Sequence, residues 1–114
     1  MANKTFYQIL TETELPVAYG FFENDQDPPF LVYLGDGQEQ FSADNQLYTK
    51  ANTYQVEFYF TDKNEPAEEA IENTLEANGY FYMKSADNYI NGQNIFVIYY
   101  NVWQKGYNNG YDSI

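Results

Sequence analysis

The chain has 114 residues and carries 17 acidic against five basic side chains, which gives a formal net charge of −12. This length fits one domain, and the absence of Cys and His excludes disulfides, Cys/His zinc sites, thiol nucleophiles and the usual general base near neutral pH. All the basic residues are Lys and are scattered singly, so without Arg or a basic stripe we expect no direct nucleic-acid binding.

Residues 3–14 are predicted to form a short helix. Phe6, Ile9 and Leu10 fall on one face at the i, i+3, i+4 spacing of an amphipathic helix. Pro16 limits the extension of this helix, because the residue before a proline is biased away from helical backbone angles.

The next segment is predicted to form a β-hairpin. Residues 17–23 and 29–34 have the composition of strands, and the polar residues 24–28 between them have the length of a hairpin turn. Glycines at both ends of residues 35–37 break the second strand. The polar stretch 38–51 that follows is predicted to be an ordered loop or a short irregular strand.

A strand and a helix are predicted in the middle of the chain. Residues 52–61 alternate with a period of two, which is typical of a strand. A helix is expected over residues 62–78, because Asn64 and its neighbours supply capping groups, Pro66 lies in the first turn, and Gly79 provides a C-terminal stop. The apolar stripe of this helix consists of Ala67, Ala70, Ile71, Thr74 and Leu75.

The last third predicts two more strands. Residues 80–84 form a short strand, residues 85–93 turn, and residues 94–104 form a long strand with apolar side chains on both faces. Such a strand is either central in its sheet or meets a partner with its second face. Residues 107–114 lack any period and are predicted to be a flexible tail.

Together these elements predict an α+β fold in a single domain over residues 1–106. Its single, largely antiparallel sheet would carry about two helices on one face, in the order α-β-β-loop-β-α-β-β. The first eight residues show no secretory signal, and the longest apolar run, residues 95–100, is too short to span a bilayer. We therefore expect a soluble cytosolic protein that does not contact a membrane.

Carboxylates are the only candidate catalytic groups in the chain. Glu68, Glu69 and Glu72 lie close together on the predicted helix, where a run of Glu is typical of a solvated face. Asp25 and Asp27 lie in a predicted turn, where Asp is favoured for local backbone hydrogen bonds, and no segment follows the twelve-residue calcium loop. We therefore predict no catalytic, metal or cofactor-binding residue, and a protein that is not an enzyme.

Aromatic residues make up 20% of the chain, with 13 Tyr, nine Phe and one Trp. This number of aromatic side chains is larger than one small hydrophobic core is expected to bury. Tyr and Trp are enriched in protein interfaces. The alternative is that amphipathic Tyr side chains line a half-exposed sheet face. The residues predicted to contact another subunit or a partner are Tyr19, Tyr33, Asp44, Tyr48, Tyr59, Val97, Tyr99 and Trp103.

Several short motifs resemble a known class of phage protein. They are residues 15–20 (LPVAYG), 28–34 (PPFLVYL), 41–45 (FSADN) with Tyr48, 54–59 (YQVEFY), and 78–80 (NGY) after an acidic helix. The pattern resembles small proteins from the head–tail connection region of long-tailed phages and prophages of Gram-positive bacteria, of the tail-terminator or tail-completion type. The resemblance covers residues 6–104.

The resemblance implies a homo-oligomeric ring, commonly a hexamer, on the last disc of the tail tube. Such a ring stops tube polymerisation and presents a surface to the head connector, while DNA passes through its lumen. The protein would be in the bacterial host cytoplasm during assembly and then in the virion tail, without catalytic residues or a cofactor. Residues 94–104 and 38–51 are the expected subunit contacts. An acidic inhibitor that mimics nucleic acid is the alternative, favoured by the Glu-rich helix.

Overall fold

The computed structural model describes residues 4–43 and 47–104, and the side chains of residues 4–37 and 53–104. These residues form two α-helices and six β-strands, and the α+β class predicted from the sequence is confirmed. In chain order the elements are α1 (Phe6–Thr11), β1 (Val17–Tyr19), β2 (Phe30–Ala43), β3 (Leu47–Phe60), α2 (Glu65–Ala77), β4 (Tyr80–Lys84), β5 (Asn88–Ile90) and β6 (Ile95–Gln104).

Helix α1 is shorter than the predicted segment 3–14. It begins with a capping box, in which Thr5 Oγ1 accepts from the backbone N–H of Gln8 at 3.1 Å and Gln8 Oε1 accepts from the Thr5 N–H at 2.8 Å. Near its end, the hydroxyls of Thr11 and Thr13 donate to the carbonyls three residues earlier. Such side-chain bonds compete with helical ones, which explains the early end.

The predicted β-hairpin, with strands at residues 17–23 and 29–34, is wrong. β1 ends at Tyr19, and it pairs with β2 in parallel, with Val17 opposite Leu31 and Tyr19 opposite Tyr33. Gly20, at φ +78°, turns the chain out of the sheet at a backbone angle that Gly adopts without strain. Residues 20–29 then return the chain to the start of β2, so the sheet is mixed.

Residues 38–51 were predicted to be an ordered loop or a short irregular strand; of these, residues 38–43 continue β2 and residues 47–51 continue β3. A bulge between Gly35 and Gln38 keeps β2 in the sheet, with Gly37 at φ +101° and its carbonyl accepting from Thr53 Oγ1 at 2.9 Å. β3 pairs with β6 only from Thr53 onward, so the outer parts of β2 and β3 form a two-stranded ribbon. Polar side chains do not prevent this, because the paired backbone groups satisfy each other whatever the side chains are.

The strand order is β1-β2-β3-β6-β4, and β5, which the sequence did not predict, also pairs with β6. Helix α2 matches its prediction, with the Asn64 side chain accepting from the Ala67 N–H at 3.1 Å and Pro66 in the first turn. Both helices pack on one face of the sheet. The core there consists of Phe6, Ile9, Leu10, Leu31, Val56, Phe58, Phe60, Ile71, Leu75, Tyr80, Ile98, Tyr100 and Val102.

Candidate functional site: the uncovered face of the sheet

The second face of the sheet is not covered by either helix. Along β3 the side chains alternate, so that Val56 and Phe58 are buried against the helices whereas Glu57 and Tyr59 point to the opposite side. We call this opposite side the open face. Its residues are Phe30, Val32 and Leu34 of β2, Gln55, Glu57 and Tyr59 of β3, Phe81 and Met83 of β4, and Val97, Tyr99 and Trp103 of β6.

A hydrogen-bonded carboxylate lies at the centre of the open face. Glu57 accepts from Gln55 Nε2 at 2.8 Å and from the Tyr59 hydroxyl at 2.7 Å, and the ring of Tyr59 stacks on Phe30 with 5.0 Å between centroids. Burial and the bond to Glu57 raise the pKa of Tyr59, so its hydroxyl remains a donor at neutral pH. Tyr99 is the cross-strand neighbour of Glu57.

At one corner of the open face, residues 20–29 enclose a groove of about 290 Å³. Its floor is aromatic: Phe22 meets Phe30 edge to face at 5.1 Å, and Tyr59 continues the row. Asp25 lies among the polar residues at its rim, and Phe21 is 71% exposed beside it. The groove is therefore an apolar surface with an acidic border.

Four of the residues predicted as contacts lie on the open face. Tyr59, Tyr99 and Trp103 are half-buried there, whereas Val97 is only 1% exposed beneath its neighbours. Val97 therefore packs beneath this surface and offers almost no accessible area to a partner.

The other predicted contacts lie elsewhere. Tyr19 and Tyr33 are on the helix-covered side at the β1 edge, where their rings meet edge to face at 5.1 Å and Tyr19 is 60% exposed. Tyr48 pairs with Ser42 in the ribbon, where only the backbone is described, and Asp44 lies outside the described residues. The predicted set is thus divided between both faces and the ribbon.

An ion-pair network on the covered side was missed by the sequence reasoning. Glu68 is 4% exposed, and its carboxylate contacts Lys63 Nζ at 2.7 Å and Lys84 Nζ at 2.8 Å. Lys84 also contacts Glu72 at 2.7 Å, and Glu72 accepts from the buried Tyr100 hydroxyl at 2.9 Å. Burial opposes the ionisation of Glu68, but hydrogen bonds and charge from both lysines outweigh it and hold the pKa of Glu68 below its usual range.

One signal in the sequence could have identified Glu68 as buried. It shares the i, i+3, i+7 spacing of Ile71 and Leu75, which are both fully buried. The predicted solvated row of three glutamates is therefore wrong at Glu68, while Glu69 is exposed. Because lysines neutralise Glu68, this cluster stabilises the packing of α2 and is unsuited to proton transfer.

Among residues 4–43 and 47–104, no group of three acidic side chains is arranged to hold a metal ion, and neither helix has the length and apolarity needed to cross a membrane. No protein-family model matches the chain, and no curated protein matches its sequence. The candidate site is therefore defined by its geometry: an aromatic sheet face around the carboxylate of Glu57, with an aromatic groove that Asp25 also lines at its corner.

Proposed function

We propose that this protein is a structural protein of a long-tailed phage, of the tail-terminator or tail-completion type. It would form a ring on the tail tube and join the tube to the head connector by protein–protein contacts. The observation that carries this proposal is the open face, where the rings of Tyr59, Tyr99 and Trp103 are only half-buried and Phe81 and Met83 are exposed. Large exposed apolar patches of this kind mark interaction sites in soluble proteins.

The ribbon supports a role in assembly. Residues 38–43 and 47–52 pair only with each other in the described part of the chain, and two isolated strands are marginally stable in water. Contact with a neighbouring subunit would stabilise the ribbon by burying it.

The two edges of the sheet support ring closure. β1 at one edge has three residues and runs parallel to its neighbour, whereas β4 at the other edge has five and runs antiparallel. A contact between these unlike edges of two copies is heterologous, and repeated heterologous contacts close into rings when the rotation permits.

The charge of the chain suits a ring through which DNA passes. With a net charge of −12 and no Arg, the wall of the lumen would repel phosphates instead of binding them. The inhibitor alternative has less support, because Glu68 and Glu72 of the acidic helix are paired internally with Lys84. A nucleic-acid mimic needs its carboxylates free on one surface.

We propose that a phage or prophage carries the gene, and deletion of the gene from that genome tests the function. We expect electron micrographs of the lysate to contain tails of abnormal length that are not joined to filled heads. Complementation with the intact gene should restore joined virions. Tails of normal length that still join heads after the deletion would rule out the proposal.

A purified sample gives a second test. Native mass spectrometry of the protein mixed with isolated tail tubes should detect rings bound to tube ends, even if the free protein is a monomer. A matched pair of variants, Trp103→Ser on the open face and Asn73→Ser on the exposed side of α2, separates surface contact from general damage. Equal tube binding by both variants would exclude the open face as the docking surface.

A further inference from the structure

We propose that the open face docks a basic segment of a partner protein and places an Arg or Lys side chain on the carboxylate of Glu57. This inference adds the chemistry of one partner to the proposed function. It rests on the proposed function in one respect, namely that the open face contacts other proteins. Four observations support it. Glu57 has only neutral hydrogen-bond donors, and the described lysine side chains are paired elsewhere. The floor of the groove is aromatic, and the net charge of the chain is strongly negative.

Glu57 is a half-buried carboxylate with only neutral donors. Gln55 and Tyr59 each supply one hydrogen bond, and a carboxylate accepts about four. No lysine among the described side chains lies within ion-pair distance of it. Two acceptor positions of this carboxylate therefore remain for a cationic donor, which would make a charge-assisted hydrogen bond there.

The lysines of the described residues are already paired elsewhere. Lys4 contacts Glu12 at 2.6 Å, Lys63 contacts Glu68 and Asp87, and Lys84 contacts Glu68 and Glu72. All three lie on or beside the helices and the loop that follows β4. None of these three described lysine side chains supplies a cation to the open face, and a partner protein can bring one.

The rings around Glu57 suit a long cationic side chain. Phe22, Phe30 and Tyr59 form a continuous aromatic row along the floor of the groove, and the Tyr59 hydroxyl donates to the carboxylate of Glu57. Aromatic faces attract guanidinium and ammonium groups and also pack against their aliphatic stems. Asp25, which also lines the groove, adds a second carboxylate. A segment with basic and apolar residues in alternation would match both features.

A second copy of this chain does not fit the open face. Each copy carries a net charge of −12, and two open faces in contact would bring two Glu57 carboxylates into one interface. Like charges placed together in an interface cost several kcal/mol. Contacts between copies are therefore assigned to the sheet edges and the ribbon, and the open face is left for a basic partner.

The test is an NMR titration of the ¹⁵N-labelled full chain with two synthetic peptides. The probe is acetyl-Leu-Arg-Leu-Arg-Leu-amide, and its control replaces each Arg with uncharged citrulline. We expect the Arg peptide to shift the amides of Phe22, Phe30, Glu57, Tyr59 and Tyr99, and to bind about tenfold tighter than the citrulline peptide, as one charge-assisted hydrogen bond would give.

Two variants that each remove one negative charge distinguish a specific contact from general attraction. Glu57→Gln should weaken binding of the Arg peptide about tenfold, whereas Glu69→Gln on the exposed side of α2 should change it less than about twofold. Equal effects of the two variants, equal binding of the two peptides, or shifts centred on α2 would each overturn the inference. The peptide comparison uses the unmodified chain, so the test stands even if Glu57→Gln is unstable.

The same samples test the second-copy alternative. Shifts of the open-face amides with protein concentration alone, made larger by Glu57→Gln, would assign the face to self-association and overturn the inference. The outcome is separate from that of the gene deletion. If the tails are normal but the peptide binds at Glu57, the proposed function fails and the partner chemistry holds; the reverse result rejects only the basic partner.

Discussion

The two faces of the sheet are built from alternate residues of the same strands, yet they differ in burial. On the covered face, Phe58, Ile98 and Tyr100 have no exposed surface, because both helices lie over them. On the open face, Tyr59 is half-buried and Met83 is 65% exposed. Both faces are rich in aromatic residues, so composition does not distinguish them. The helices turn one face into the core and leave the other available for contact.

Glu68 on the covered side and Glu57 on the open face are both at least partly buried, and their surroundings differ in the same way. Glu68 on the covered side has two lysines within 3 Å, whereas Glu57 on the open face has only the neutral donors of Gln55 and Tyr59. The covered side is electrostatically complete within one chain. Among the described side chains, no lysine pairs with Glu57 on the open side, which is the physical reason for proposing a basic partner.

The largest difference between the faces should appear in two neighbouring alanine substitutions. Phe58→Ala leaves a cavity in the core and should lower the free energy of unfolding by about 3–5 kcal/mol. Tyr59→Ala removes a half-exposed ring and its stacking on Phe30, and should cost about 1–2 kcal/mol. Urea unfolding followed by circular dichroism measures both. If Phe58→Ala does not fold, the milder variants Phe58→Leu and Tyr59→Leu replace the pair, and the loss in free energy of unfolding should again be larger at Phe58. Similar losses at both sites would mean that the open face is as buried as the covered face.

A smaller effect is expected from two neighbouring glutamates of α2. Glu68→Gln removes the charge that both Lys63 and Lys84 contact, and should lower the free energy of unfolding by about 1–3 kcal/mol. Glu69→Gln makes the same chemical change at an exposed position and should alter stability by less than about 0.5 kcal/mol. Denaturant midpoints of the two variants give the comparison. A stable Glu68→Gln variant would mean that the buried ion pairs contribute little.

The same network predicts how stability depends on pH. Because Lys63 and Lys84 hold the pKa of Glu68 below the ordinary Glu value of 4.5, its contribution is present above pH 4.5 and is lost as the pH falls through the lower folded-state pKa. The free energy of unfolding should therefore fall more steeply below pH 4.5 in the unmodified chain than in Glu68→Gln. Some slope should remain in the variant, because hydrogen bonds from Lys4 and Asn78 also lower the pKa of Glu12. Parallel curves would contradict the lowered pKa of Glu68.

The smallest change in stability is expected on the open face at β4. Met83→Ser replaces a side chain that is 65% exposed, so the free energy of unfolding should change by less than about 0.5 kcal/mol. Removing this apolar group should also weaken binding of a hydrophobic dye such as ANS, which reports accessible apolar surface. Thermal melts and dye fluorescence on one sample measure both effects. A loss of stability near that of Phe58→Ala would indicate that the face is covered.

Much of the local structure could be predicted because periodicity is local. The alternation in residues 52–61 correctly predicted a strand, and the cap Asn64 with Pro66 correctly located the start of α2. The parallel pairing of β1 could not be predicted in this way, since a strand pairs through its backbone and its sequence does not specify the direction of its neighbour. The extended strands of the ribbon were predicted only as an ordered loop or a short irregular strand, because the polar sequence of residues 38–51 shows no apolar alternation.

The sequence by itself determined the acidic charge, the absence of Cys, His and Arg, and which residues share a face within each strand. Only the tertiary structure decided which face the helices cover and that Glu68 meets Lys63 and Lys84 while Glu57 meets no lysine among the described residues. The physical reason is that alternation defines two equivalent sides of a strand, whereas coverage depends on where the chain crosses over the sheet. Charges on separate elements become neighbours only when those elements pack.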